Sequence, residues 1–258
     1  MLTLAKGLLS RRMTQAVRTP FLVALDFDQT IVDSDSTSHV LDKLRPELKS
    51  FVQDNWDMPW PDLNDTLFQK MKESDGVAKE QVLDAIRSFS FNQDMLRLFK
   101  MIKIKGGDIA IISDANAFFV EQFLSSKNAL GLISHLATNP AFWNEEIGRL
   151  QVSRRMRDTS HGCQRGCPPN LCKGHEVSAL RKQYDFVMFG GDGQRDYCGM
   201  IGLGPRDVAL ARRGFGLEKY LLSELETGRV GLQARLVWWN HATDLIDRVE
   251  EELVVRGY

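Results

Sequence analysis

Residues 21–32 read FLVALDFDQTIV. Five apolar residues, Phe21 to Leu25, run directly into Asp26, with Asp28 two positions on and Thr30 two further. An unbroken apolar run of this length is the pattern of a strand buried on both faces of a parallel sheet. In open α/β sheets, ligands bind beyond the C-terminal ends of such strands. Asp26 stands at that end, and Asp28 and Thr30 on the loop after it. Two carboxylates so close repel each other, and a divalent cation relieves the repulsion. One carboxylate can then be a nucleophile and the other a proton carrier. Asp-x-Asp also occurs by chance in many loops, so this reading depends on what the later strands deliver.

Two later runs deliver partners. Residues 108–112, DIAII, form a second strand that ends in Ser113-Asp114-Ala115-Asn116. A hydroxyl at a strand end near a helix N-terminus suits a phosphate oxygen, which marks Ser113. Asp114 reads equally as a helix N-cap or as a selectivity residue. Residues 185–190, DFVMFG, form another strand that ends in Gly191-Asp192-Gly193-Gln194-Arg195-Asp196. Its glycines allow a sharp turn. A hard cation takes oxygen ligands from several loops, and Asp26 with Asp192 is the natural pair. Lys173 precedes a helix expected over 175–183, whose N-terminus also favours anions.

The remaining chain reads as α/β. Helices are expected over 95–105, stopped by Gly106-Gly107, and over 118–124. A third strand is expected over 132–137, a short hairpin arm over 148–152 and an edge strand over 207–210. Residues 230–239 read as a further strand and 240–254 as a closing amphipathic helix. Residues 45–90 are helical in pattern, broken at Met58-Pro59-Trp60-Pro61. The stretch is too long for one crossover helix. It reads as a helical cap, 41–94, inserted into a core of 20–40 and 95–258, against the simpler reading of more core helices. Trp238-Trp239 and Phe118-Phe119 read as core.

Residues 161–174 hold Cys163, Cys167, Cys172 and His161, which suggest zinc at first sight. The spacings are Cys-x3-Cys and Cys-x4-Cys with no second pair, so a loop of small buried thiols is the preferred expectation.

Bulk composition excludes several classes. Of 258 residues, 43% are hydrophobic and 26% charged, with a net charge of −1. No basic excess points to nucleic acid. No apolar run approaches the roughly 18 residues needed to span a membrane. Four cysteines in a chain this long make no disulfide scaffold, so a reducing, cytoplasmic setting is the default. Residues 1–19 carry Lys6, Arg11, Arg12 and Arg18 with no acid. That segment is an extension or, alternatively, a mitochondrial or plastid targeting peptide.

Four elements recur in order: D-x-D-x-T, S and G-D-G-x-x-D, each after a strand, with K before a helix ahead of the last. Together they resemble the haloacid dehalogenase (HAD) superfamily of phosphatases. ALDFDQTIVDSDS, ISDANAFFVEQFL, TNPAFWN, CPPNLCKG, GDGQRDYC and RRGFGLEKYL resemble successive blocks of the phosphoethanolamine/phosphocholine phosphatase (PHOSPHO) family. The resemblance implies a Rossmannoid three-layer α/β sandwich with a parallel central sheet and a small helical cap. It implies a phosphatase that hydrolyses a small-metabolite phosphomonoester through an aspartyl-phosphate. Asp26 would be the nucleophile and Asp28 the acid and base. Mg²⁺ would bind Asp26, the main-chain carbonyl of Asp28, and Asp192. Thr30, Ser113 and Lys173 would hold phosphoryl oxygens. Asp196 would orient these groups or bind the metal through water, and Asp114 would meet the substrate head group.

Three departures from the family pattern bear on substrate. Thr37 stands where many members carry an acid that helps receive an amine head group, with Asp35 as a distant substitute. Arg195 stands where Asn is usual, and one extra residue separates Cys163 from Cys167. The first two tilt the expectation from phosphocholine or phosphoethanolamine towards a more anionic substrate such as pyridoxal phosphate, thiamine monophosphate or inorganic pyrophosphate. A phosphotransferase shares every motif. A non-catalytic scaffold would not need Asp26, Asp28, Lys173 and Asp192 together.

Overall fold

The computed structural model describes residues 19–73, 76–156, 161–163, 165 and 167–258. The basic N-terminal segment lies outside these, apart from Thr19. Along the described chain run strands β1 (Phe21–Leu25), β2 (Asp108–Asn116), β3 (His135–Asn139), β4 (Ala141–Asn144), β5 (Arg149–Val152), β6 (Phe186–Gly191), β7 (Val208–Arg212) and β8 (Arg235–Trp239). The helices are α1 (Ser36–Leu44), α2 (Lys49–Asp54), α3 (Trp60–Glu73), α4 (Lys79–Arg87), α5 (Gln93–Ile104), α6 (Ala117–Ser126), α7 (Lys173–Arg181), α8 (Asp196–Ile201), α9 (Gly216–Glu226) and α10 (Ala242–Val255).

Six strands form one parallel sheet in the order β3-β2-β1-β6-β7-β8, and β4-β5 is a separate antiparallel hairpin. The order reverses at β1. From it the chain steps outward to β2 and β3, then returns to β6 on the other side. Such a switch point opens a crevice beyond the C-terminal strand ends, and here it falls between β1 and β6.

Successive side chains of a strand face opposite sides of a sheet. In β1, Phe21, Val23 and Leu25 join one apolar cluster and Leu22 and Ala24 the other, all fully buried. The first cluster takes in α5, α6 and α10 through Leu98, Phe119 and Val249. The second takes in α7, α8 and α9 through Val177, Met200 and Leu221. The architecture is a three-layer α/β sandwich. Helices α3 and α4 share the core: Leu67, Phe68, Val82 and Ile86 belong to the first cluster, and Phe68 meets Phe119 edge-on at 5.7 Å.

Several boundaries differ from expectation. The strand expected at an edge, β7, lies inside the sheet with every residue buried, because β8 pairs along its outer side. Leu130–Leu132 forms a 3-10 turn, so β3 starts three residues later than its apolar pattern suggests. Lys173 is the first residue of α7 and does not precede it. No helix among the described residues is long and apolar enough to cross a membrane.

Candidate active site

The Asp26 N–H donates to the Gly190 carbonyl at 2.9 Å, which carries the β1–β6 ladder one residue past the strand. This fixes Asp26 at the crevice, with Oδ1 accepting from the Phe27 N–H at 2.7 Å. The loop then folds on the Phe27 carbonyl, which accepts from the N–H groups of Thr30, Ile31 and Val32. Gln29 sits at φ 52°, the left-handed region a tight loop needs and a side chain disfavours. Arg212 of β7 holds that turn, donating to the Gln29 carbonyl and pairing with Asp33 at 2.9 Å. No sequence signal marks this role of Arg212.

Asp28 points to the start of α1, where the Ser36 N–H and Oγ donate to its two oxygens at 3.1 and 3.0 Å. Burial, then the charges of Asp35 and Asp26, push its pKa well above the carboxylate range. A carboxyl that binds its proton more tightly than usual is better equipped to act as a proton donor.

From β6, Asp192 receives the Thr30 hydroxyl at 3.2 Å. Asp196 opens α8. Its Oδ2 accepts from the N–H groups of Asp192 and Gly193 at 3.0 and 2.8 Å. Gly191 is obligatory there, since a Cβ would lie 2.2 Å from Asp196 Cγ. Lys173, 5% exposed, reaches in from α7 and bridges Asp196 Oδ1 at 2.6 Å and Asp26 Oδ2 at 2.8 Å.

Carboxylate oxygens of Asp26, Asp192 and Asp196 lie within 4.8 Å of one another. Burial raises the Asp26 pKa to about 8 against the opposing pull of Lys173. Burial, then Asp196, raises that of Asp192 to about 7. Burial alone would lower the Lys173 pKa, but Asp196 and Asp26 raise it overall. One cation thus faces three buried carboxylates, and the remaining negative charge fits a divalent metal.

Ser113 is fully buried, and its Oγ accepts from the Ala115 N–H at 3.2 Å. Asp114 is not an N-cap: Asn116 caps α6, accepting from the Phe119 N–H at 2.9 Å. Asp114 instead pairs with Arg195 at 2.5 Å. Thr37 is buried and donates to Asn64, while Asp35 caps α1.

A cavity of about 720 Å³ unites the site. Asp26, Asp28, Asp114, Lys173, Asp192 and Asp196 line it, whereas Thr30 and Ser113 do not. Trp56, Met58, Pro59 and Trp60 of the helical insertion form another wall. The two indoles are 5.9 Å apart, and Trp56 is 68% exposed. In the sequence this segment reads only as a helix break. The signal available was two tryptophans beside prolines in an otherwise polar stretch.

Residues 21–253 match the family described as "Putative Phosphatase". The chain belongs to that family. It is 31% identical over 202 residues to inorganic pyrophosphatase 2 of Arabidopsis thaliana, covering 75% of this chain and 71% of that one. It is 28% identical over 243 residues to the pyridoxal phosphate phosphatase PHOSPHO2 of Mus musculus, covering 89% and 97%. Its fold is shared with a phosphoserine phosphatase from T. onnurineus, at TM-score 0.55 and 16% identity over 92% of this chain and 98% of that one. The protein is a HAD phosphatase of the PHOSPHO type, a phosphoric monoester hydrolase.

The carboxylate cluster predicts a pH dependence of stability in this phosphatase. Folded pKa values near 8 and 7 stand above the unfolded value of 3.8. Between those limits the native state binds more protons than the unfolded one, so metal-free stability falls as pH rises and is lowest above pH 8. In chelator, Tm is expected to drop on going from about pH 6 to pH 9, and a divalent cation that binds the cluster should remove the drop. A chelated protein that gains stability over that range would contradict the cluster's electrostatics.

Proposed function

We propose that the protein is a Mg²⁺-dependent phosphatase that hydrolyses a small, anionic phosphoester through a phosphorylated Asp26. The observation that carries this reading is Lys173 clamped between Asp26 and Asp196, with Asp192 alongside, at the switch point of the sheet. Mg²⁺, held by Asp26, Asp192 and the Asp28 main-chain carbonyl, would supply the positive charge that lets a carboxylate approach an anionic phosphoryl group. Asp26 attacks phosphorus as the bond to the leaving oxygen breaks, and Asp28 gives that oxygen its proton. Water then attacks the same phosphorus, Asp28 takes its proton, and the bond to Asp26 breaks to release phosphate. Lys173 offsets the charge that develops on the phosphoryl oxygens. Ser113, whose Oγ accepts from the Ala115 N–H, anchors the loop that carries Asp114. Thr30 orients Asp192, and Asp196 orients Lys173 and the metal loop.

The substrate reading rests on two walls. Trp56 and Trp60, carried by a cap of residues 41–94, suit a flat ring packed against them. Arg195 neutralises Asp114, so the acid that would receive a cationic amine is occupied. Both features favour a flat, anionic ester of the pyridoxal phosphate kind. Arg195 also favours a second reading, inorganic pyrophosphate, because a guanidinium can hold the phosphate that is not attacked.

The test is phosphate release from pyridoxal phosphate, thiamine monophosphate, pyrophosphate, phosphocholine and phosphoethanolamine, with Mg²⁺ and with chelator. Metal-dependent release led by pyridoxal phosphate is expected; a clear preference for phosphocholine would sink the reading. Trp56→Ala should raise KM for the aromatic ester about threefold to tenfold, with pyrophosphate unchanged. Arg195→Asn should free Asp114 and raise kcat/KM for phosphocholine about fivefold. No change in that ratio would mean Asp114 does not face the head group.

A further inference from the structure

Away from the carboxylates, all four cysteines meet. The Sγ atoms of Cys163, Cys167, Cys172 and Cys198 lie within 4.8 Å of one another. The linear pattern shows only the first three beside His161. The missing member, Cys198, comes from α8, and Cys172 is the N-cap of α7. His161 stands apart. Its Nε2 meets the Pro168 carbonyl at 2.9 Å, and its Nδ1 accepts from the Cys163 N–H at 3.1 Å.

The distances discriminate between uses of four thiols. Cys198 Sγ is 3.6 Å from Cys163 Sγ and 3.7 Å from Cys172 Sγ. A disulfide bond needs about 2.05 Å. A tetrahedral ion with Zn–S bonds of about 2.3 Å sets its sulfurs about 3.8 Å apart. We infer that Cys163, Cys167, Cys172 and Cys198 form a structural Zn²⁺ site.

A set of four thiolates selects a soft, tetrahedral ion and leaves no open position for chemistry. Binding exchanges four thiol protons for one ion, with the protons passing to solvent and no change of oxidation state. The resulting double negative charge has compensation nearby. Arg165 lines the cavity beside Cys167 and Cys198, where Arg195 and Arg229 are paired with Asp114 and Glu224, and Cys172 sits at the positive end of α7. The helices approach closely here, since a Cβ on Gly174 would stand 2.6 Å from the Cys198 carbonyl oxygen.

The ion would tie together the two helix starts that carry the catalytic clamp. Lys173 follows Cys172 directly, and Asp196 lies two residues before Cys198. A loop with no helix or strand among its described residues, from Ser153 to Leu171, would be fastened to both.

Protein purified without chelator is expected to contain about one zinc per chain by mass spectrometry of the metals. Asp192→Asn should keep the zinc, which separates this site from the carboxylate cluster. Exchange with Co²⁺ should give the intense near-ultraviolet absorption of cobalt–thiolate bonds. Cys163→Ser, at the half-buried side of the cluster, should bind zinc at least about tenfold more weakly, while His161→Ala binds as wild type. Should Cys163→Ser not fold, the wild-type zinc content and cobalt spectrum decide alone. Wild-type protein that binds no zinc from an equimolar solution, or that contains a disulfide among these residues, overturns the inference.

Discussion

Asp26→Asn is expected to lower phosphate release by about 10⁴-fold or more, with the fold intact. The proposed nucleophile is the Asp26 carboxylate, and an amide at the same place cannot form the acyl phosphate. No neighbour can substitute. The carboxylate of Asp28 is held by Ser36, and that of Asp196 by Lys173 and two main-chain N–H groups. Stability should move little, because two effects oppose each other. The variant loses one carboxylate contact with Lys173, which keeps Asp196 at 2.6 Å. It also removes a buried carboxyl whose pKa is raised to about 8 by burial first and then by Asp196 and its other acidic neighbours. Tm within about 5 °C of wild type is the expected result. Residual release above that level would place the nucleophile elsewhere. The variant should also lose the pH-dependent part of the metal-free Tm that Asp26 contributes, which calorimetry in chelator at two pH values would read.

The sheet centre was legible because β1, β2 and β6 are near-unbroken apolar runs, and each ends in its polar site residues. Asp26 and Asp192 could be paired from sequence for that reason: a parallel sheet puts all its C-terminal ends on one side. Neighbours in the sheet were not legible. Val208 to Leu210 is as apolar as an edge or a central strand, and only the pairing with β8 decides between them. Lys173 was misplaced by a turn boundary, since a helix that begins on Cys172 as N-cap has no polar capping side chain to announce it. Asp114 could not be settled, because both it and Asn116 are good N-caps and only the register of α6 chooses. Trp56, Trp60, Arg212 and Cys198 share one property. Each meets, or shares a cavity with, residues far away in sequence, and their convergence is created by tertiary packing that no local spacing encodes.

Lys173→Met is the complementary experiment, since it strikes activity and stability together. The lysine is buried and holds two carboxylates, at 2.6 and 2.8 Å. Taking away one partner of a buried ion pair leaves uncompensated charge, at a cost of about 3–5 kcal/mol. At about 2–4 °C per kcal/mol for a chain of this size, Tm in chelator should fall by roughly 6–20 °C. A solvated lysine would give almost no change. The pH dependence distinguishes lost charge from lost packing. Without Lys173, the one group that lowers the Asp26 pKa most strongly is gone, so Asp26 binds its proton more tightly in the folded state. The Tm deficit should therefore shrink as pH falls and the carboxylate is neutralised, whereas a packing defect would be indifferent to pH. Mg²⁺ should restore part of the stability, because a cation at Asp26 and Asp192 offsets the same charge. It should not restore activity: phosphate release is expected to stay about 10²–10³-fold below wild type, since the metal cannot replace the donor that the proposed mechanism places on the phosphoryl oxygens. Recovery of stability without recovery of rate would separate the observed task of this side chain, holding the carboxylates in the resting site, from its proposed one, holding the phosphoryl group in the transition state.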